Sequence, residues 1–165
     1  VSPTVDNATE FTTPSDSELQ IRRVFDAPRD LVWEALTKPE HLRNWMLGPQ
    51  GWRMTVCEID LRPDGRYCYQ WRHTSGEQMQ INGVYRELRA PERIVNTENW
   101  GGEWPETLNT VTLAETKDGQ TTVTTVARYP SREARDAALQ SGMQDGVNLS
   151  YGRLEHLLLS MPNAV

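Results

Sequence analysis

The stretch SREARDAALQSGMQDGVNLSYGRLEHLLLS, residues 131–160, decides the fold. At helical spacing, Leu139, Met143, Val147, Tyr151, Leu154 and Leu158 fall on one stripe, with Ala134, Ala138 and Leu157 beside it. Ser131 ahead of Glu133 supplies an N-cap, and Pro162 closes the far end. The segment reads as one amphipathic helix of about seven turns, the longest the chain can form. Gly142, Gly146 and Gly152 interrupt the pattern, although each costs about 1 kcal/mol against Ala in a helix interior. Glycine repeated in a core-facing helix either admits another backbone or leaves a space, and that space is where function is expected.

Upstream, the helix meets strands. Glu18 to Phe25 alternates as a first strand, with Leu19 and Ile21 on one face. Asp26-Ala27-Pro28 breaks it and opens a helix carrying Leu31, Val32, Ala35 and Leu36 inward, with Trp33 adjacent. Pro39 starts a second short helix through His41, Leu42 and Trp45, and Gly48-Pro49-Gln50-Gly51 is a loop. From Trp52 onward, strands are predicted at 52–60, 66–73, 78–88, 93–100, 107–116 and 121–129. Turn chemistry separates them at Pro63-Asp64-Gly65, Ser75-Gly76, Ala90-Pro91-Glu92 and Asp118-Gly119. Residues 1–17, rich in Thr, Ser, Pro and Asp, read as a flexible tail; residues 18–162 read as one domain. The predicted fold is α+β: a curved seven-stranded antiparallel sheet gripping the long C-terminal helix, with two short helices after the first strand.

Composition narrows the function classes. A chain of 165 residues buries a real core. Lys and Arg number 17 against 23 Asp and Glu, a formal net charge of -6, with no basic cluster to follow a phosphate backbone. Nucleic acid is therefore not an expected partner, and no apolar run approaches the roughly 20 residues that span a bilayer. Val1 to Ser17 lacks the charged and apolar regions of a signal peptide. Cys57 and Cys68 sit on consecutive strands and share a face only in one register; free thiols in a cytoplasmic protein are expected. No Gly-x-Ser-x-Gly elbow, phosphate loop, dinucleotide fingerprint or His-Glu-x-x-His is present, and His41, His73 and His156 lack metal-ligand spacing. No cofactor or metal is expected.

A series of short motifs then carries a resemblance. Arg23-Val24-Phe25-Asp26-Ala27-Pro28-Arg29-Asp30-Leu31-Val32-Trp33-Glu34-Ala35-Leu36-Thr37 closely resembles the opening of the activator of heat-shock-protein-90 ATPase homologue-like domains. These belong to the START-like, or SRPBCC, helix-grip superfamily. Pro39-Glu40 leading to Trp45, Gly48-Pro49, Asp64-Gly65-Arg66-Tyr67, Gly83-Val84-Tyr85-Arg86-Glu87, Pro91-Glu92-Arg93-Ile94-Val95, and Gly146 with Leu154 and Leu158 continue it. The resemblance covers about residues 18 to 160 and implies the helix-grip fold. For function it implies a class: small-molecule binders, cyclases, or a chaperone-binding module. Two departures stand out. Val147 replaces the usual Trp after the helix glycine, and Asn96 and Glu98 stand where relatives carry aromatic residues, which predicts a more polar pocket.

The aromatic residues are the first site candidates. Tyr67, Tyr69 and Trp71 alternate on one strand face, as a pocket wall or a core layer would. Trp45 and Trp52 flank a Gly/Pro loop at a cavity mouth, while Trp33 reads as structural. The Trp100-Gly101-Gly102-Glu103-Trp104-Pro105 loop reads as a lid or a plain hairpin connection. Gln78, Gln80 and Asn82 alternate along one strand, facing either water or a ligand. Glu98 reads as a buried acid of raised pKa or as a carboxylate solvated or paired with Arg72.

The expected function is binding of a small hydrophobic or aromatic molecule between the sheet and the closing helix. The contacts would come from Trp45, Trp52, Tyr69, Trp71, Trp100, Met143, Val147 and Tyr151, with Gln80 or Glu98 orienting the ligand. The alternatives are a cyclase or hydrolase using Glu98, or a protein-interaction module; a homodimer is compatible with all three.

Overall fold

The computed structural model describes residues 8–161. Its strands are Glu10–Ser15 (β1), Glu18–Phe25 (β2), Trp52–Ile59 (β3), Arg66–His73 (β4), Gln78–Arg89 (β5), Arg93–Glu98 (β6), Thr107–Glu115 (β7) and Thr121–Arg128 (β8). The helices are Arg29–Thr37 (α1), Pro39–Trp45 (α2), Arg132–Gln140 (α3) and Met143–Ser160 (α4). The strands form one antiparallel sheet in the order β1-β2-β8-β7-β6-β5-β4-β3. This is the α+β helix-grip order expected, with two corrections.

The sheet has eight strands, not seven. The extra one, β1, lies in the stretch read as a flexible tail; residues 1–7 of that stretch and Pro162 lie outside the described residues. β1 folds back on β2, pairing Phe11 with Ile21, and Glu10 meets Arg22 at 3.3 Å. Pro14 is tolerated because β1 is an edge strand, where a missing N–H breaks no ladder. Thr12 and Thr13 favour extended backbone, a signal masked by the surrounding turn-forming residues.

The closing helix is two helices. Ser131 caps α3 as expected, its Oγ accepting from the Ala134 N–H at 3.1 Å. Gly142 then adopts φ 84°, ending α3 and starting α4. The left-handed conformation is one that glycine enters without penalty.

Alternation drives burial. On β2, Leu19, Ile21, Arg23 and Phe25 face inward while their neighbours are half-buried. The Phe25 ring meets Tyr151 of α4 edge-on at 5.3 Å, and Tyr151 lies 6.1 Å from Trp45 of α2. Leu154 and Leu158 continue this contact with α4. Each such buried side chain contributes about 1.5–3 kcal/mol. Arg23 is the charged member of the row. Its guanidinium donates to Glu155 Oε2 at 3.0 Å and to Thr9 Oγ1 at 3.1 Å, and lies 5.5 Å over the Phe25 ring.

Curvature comes from β5, whose first half pairs with β4 and whose second half pairs with β6, with a bulge between Tyr85 and Glu87. At the crease sits Gly83, where a Cβ would lie 2.1 Å from the Thr97 carbonyl oxygen and 2.3 Å from the Tyr67 ring. Only glycine allows that approach. Cys57 stands opposite Tyr69 and Cys68 opposite Glu58, so the two thiols point to opposite faces and both are free.

Candidate functional site

The inner face of β4–β7 carries an unusual density of polar groups. Asn96 and Glu98 share a face with buried Ile94, and Thr107 and Asn109 share a face with buried Leu113. Cross-strand pairing sets Asn96 against Asn109 and Glu98 against Thr107. All four therefore project into the concave side.

They form a directed network. Thr107 Oγ1 donates to Asn109 Oδ1 at 3.0 Å, and Asn109 Nδ2 donates to Glu98 Oε2 at 2.8 Å. Trp100 Nε1 donates to the other carboxylate oxygen at 2.7 Å. Asn96 Nδ2 donates to the Tyr67 hydroxyl at 2.9 Å, and that hydroxyl donates to the Thr97 carbonyl at 2.5 Å. Burial pushes the Glu98 carboxyl above its ordinary range, and the Trp100 and Asn109 hydrogen bonds work against the shift. The charge is stabilised by neutral donors, which matches the buried-acid reading of Glu98 rather than the alternative of pairing with Arg72, which is exposed. Burial also keeps the neighbouring phenols protonated, raising Tyr129 and Tyr85 to about 12 and holding Tyr67 and Tyr69 well above the ordinary phenol value.

Beside the network runs an aromatic ladder. Tyr67 lies 5.0 Å from Tyr69 and 5.2 Å from Tyr85, Tyr69 lies 5.9 Å from Trp71, and Trp71 stacks on Trp100 at 6.0 Å and 15°. Trp71 Nε1 donates to the Met46 carbonyl at 2.7 Å, tying β4 to the loop after α2. Tyr67, Tyr69 and Trp71 are buried on one face, so this row is at once a core layer and the wall beside Glu98.

The structure thus brings Tyr69, Trp71, Glu98 and Trp100 together on the inner face. Met143 and Val147 extend the Tyr151 stripe of α4, yet both are half-buried and lie outside the packed core cluster. Tyr151 is packed between Phe25 and Trp45, which makes it a core residue on the border of the site.

Three expected contributors lie elsewhere. Trp45 is buried and donates its indole N–H to the Ala35 carbonyl at 2.8 Å, closing the α1–α2 corner. Trp52 packs on His73 at 5.0 Å at the end of the β3–β4 ladder, because strand pairing sets those two residues opposite each other. Gln80 points away from the concave side: it is opposite Gln70 and alternates with buried Ile81.

The helix glycines are also reassigned. A Cβ on Gly146 would meet Pro49 Cδ at 3.7 Å and Gly48 Cα at 4.0 Å, so this glycine receives the Gly48-Pro49 loop. The Gly48 N–H donates to Ser150 Oγ at 2.9 Å, one turn further along α4. Gly142 is the break between helices, and Gly152 is exposed.

Asn109 and Thr107 escaped the sequence reading. Asn109 alternates with Val111 and Leu113, a pattern that marks an inward polar residue once the strand is known to be buried on that side. Among the described residues no group of three or more His, Cys, Asp or Glu is arranged to hold a metal ion.

The family model for the Activator of Hsp90 ATPase homolog 1-like protein matches residues 26–159. The chain belongs to this family. Like it in structure is a Rhodobacter sphaeroides protein, 28% identical, with a TM-score of 0.88 over 93% of this chain and 99% of its own. A Nitrosomonas europaea protein is 26% identical, with a TM-score of 0.79 over 90% and 97%. An AHSA1-like protein from Aeromonas hydrophila, 20% identical with a TM-score of 0.70 over 88% and 99%, shares the fold. Comparison with curated proteins finds no match. Fold and family support a ligand-binding or interaction module in general. Among the described residues no helix is long and apolar enough to cross a membrane.

Proposed function

We propose that this Activator of Hsp90 ATPase homolog 1-like chain binds a small, partly aromatic or apolar molecule on the inner sheet face beside Met143 and Val147. Glu98 is its polar anchor. One observation carries the reading: Glu98 is an inward carboxylate whose two oxygens are oriented by neutral donors, Trp100 and Asn109, with no cation contributing to its shift. A carboxylate has about four lone-pair sites, so each oxygen retains capacity for a hydroxyl or N–H from a ligand. The tyrosine and tryptophan ladder offers the apolar wall that such pockets use, with a few polar groups fixing orientation. Half-buried Met143 and Val147 on the facing helix supply the opposite side.

A binding role fits this arrangement better than acid–base chemistry. The groups next to Glu98 are neutral donors and phenols held protonated, so none is poised to exchange a proton with it near neutrality. An interaction module calls for a contiguous apolar patch, whereas exposed Leu149 and Leu159 are separated by about 15 Å along α4, and exposed Met79, Trp100 and Trp104 gather at a groove lined otherwise by Thr55, Gln70, Trp71, Arg72, Gln78 and Gln80. Cytoplasmic residence goes with this reading, supported by two free cysteines on opposite faces.

Calorimetric titration with 1-naphthol, an aromatic ring with one hydroxyl donor, tests the proposal. Saturable binding is expected. Val147→Trp should abolish it by filling the space, and Glu98→Gln should weaken it about tenfold, the worth of a hydrogen bond to a charged group. Unchanged affinity in Val147→Trp would place the ligand elsewhere.

A further inference from the structure

β5 runs on past the end of β6. Among the described residues, Gln78–Ile81 therefore has β4 on one side and no strand on the other. The last pair across is Asn82 with Asn99, which exchange both backbone hydrogen bonds at 2.9 and 2.8 Å. Backbone groups alternate sides along an antiparallel strand. Gln80 and Gln78 consequently aim their N–H and C=O groups at the same edge as Asn82.

The residue next in register, Gly101, is diverted. Its N–H donates to Asn99 Oδ1 at 2.7 Å, and its carbonyl accepts from the Trp104 N–H at 3.3 Å. With φ of 81° and 61°, Gly101 and Gly102 turn the chain away from β5. A groove of about 530 Å³ opens there. It is lined by Gln70, Arg72, Gln78, Gln80, Trp100 and Trp104, with Thr55, Trp71 and Met79 completing it. Among the described residues no carboxylate lines it, although the chain carries a net charge of -6, and Arg72 is the one charged group there. Trp100 and Trp104 are 39% and 45% exposed.

We infer that this groove binds a flat heterocycle with a hydrogen-bond donor and acceptor adjacent on its rim and an anionic substituent. That chemistry is shared by a nucleotide base and a flavin, each as the monophosphate. Gln80 presents N–H and C=O side by side to the rim, an indole supplies the stacking face, and the Arg72 fork takes the phosphate. Only Gln78 and Gln80 face the free edge, which is too short for an added peptide strand. The groove shares Trp71 and Trp100 with the wall beside Glu98, but Glu98 does not line it, and the rim and anion contacts from Gln80 and Arg72 are its own.

Calorimetric titrations with adenosine 5′-monophosphate and with flavin mononucleotide test it, against 1-naphthyl phosphate, which is flat and anionic but lacks the rim pair. At least one of the first two should bind saturably, and which one does identifies the source of the ring. 1-Naphthyl phosphate should bind at least about tenfold more weakly. Arg72→Ala and Trp104→Ala should each weaken binding about tenfold. Gln80→Pro deletes an edge-facing N–H without touching the β4 ladder, as an edge position allows, and should weaken binding similarly. Gln80→Ala should keep near-native affinity. Absence of binding by both monophosphates overturns the inference. So does equal affinity for 1-naphthyl phosphate, or full affinity in a Gln80→Pro protein with native circular dichroism.

Discussion

Glu98 shows what a single position does when strand alternation turns a carboxylate inward. Burial disfavours its anion, and the hydrogen bonds from Trp100 and Asn109 recover part of that cost. The folded state therefore takes up the proton more readily than the unfolded state. The resulting stabilisation is complete below the ordinary value of 4.5 and is lost as pH rises through the raised folded value. Glu98→Gln removes the titration. The melting temperature of the wild type relative to this variant should be higher at about pH 4 than at about pH 7. Thermal unfolding at the two values checks the sign. The reverse trend would mean that the two donors outweigh burial.

At the scale of elements, the closing segment combines two glycines of opposite kind. Gly142 holds a left-handed conformation between α3 and α4. Gly142→Ala should destabilise the protein by about 1–2 kcal/mol. Gly146 lies within α4 with space for a methyl at ordinary contact distance from Pro49. Gly146→Ala should therefore stabilise by up to about 1 kcal/mol through helix propensity. Urea unfolding of both variants should give shifts of opposite sign, which a shared role as cavity floor would not produce. β1 is held from a second direction, since buried Arg135 of α3 donates to the Ser15 carbonyl at the β1–β2 turn. That contact ties the hairpin to α3 and is invisible in the local sequence of either.

Across the whole molecule, the grip is made where Phe25, Trp45 and Tyr151 meet. Tyr151 plugs the space between α4 and the sheet. Tyr151→Ala should cost about 3 kcal/mol, the lower end for losing a packed aromatic side chain. Denaturant midpoints would show this, and the variant's new space should admit indole, raising its melting temperature where the wild type's does not change.

By itself the sequence determined the order of elements from β2 to β8, the α+β class and the family motifs. Those depend on short-range physics: alternation in Glu18–Phe25, β-branched Thr121–Thr125, turn glycines such as Gly65, and the helical stripe ending in Leu154 and Leu158. It also marked Tyr69, Trp71, Glu98 and Trp100 as site candidates, because aromatic and carboxylate side chains on buried strands are costly unless used or satisfied. Tertiary structure decided the rest. Which face of β5 looks inward follows from pairing with β4, and it removed Gln80 from the concave side while giving its backbone to a free edge. Which donors hold Glu98 follows from the register of β6 on β7, which brought Asn109 beside it. Whether a helix glycine marks a space, a break or a docking point depends on what lies opposite, and Gly146 met a loop nearly a hundred residues earlier in the chain. Local propensity does not encode such contacts, because each needs two distant segments to be in place before it exists.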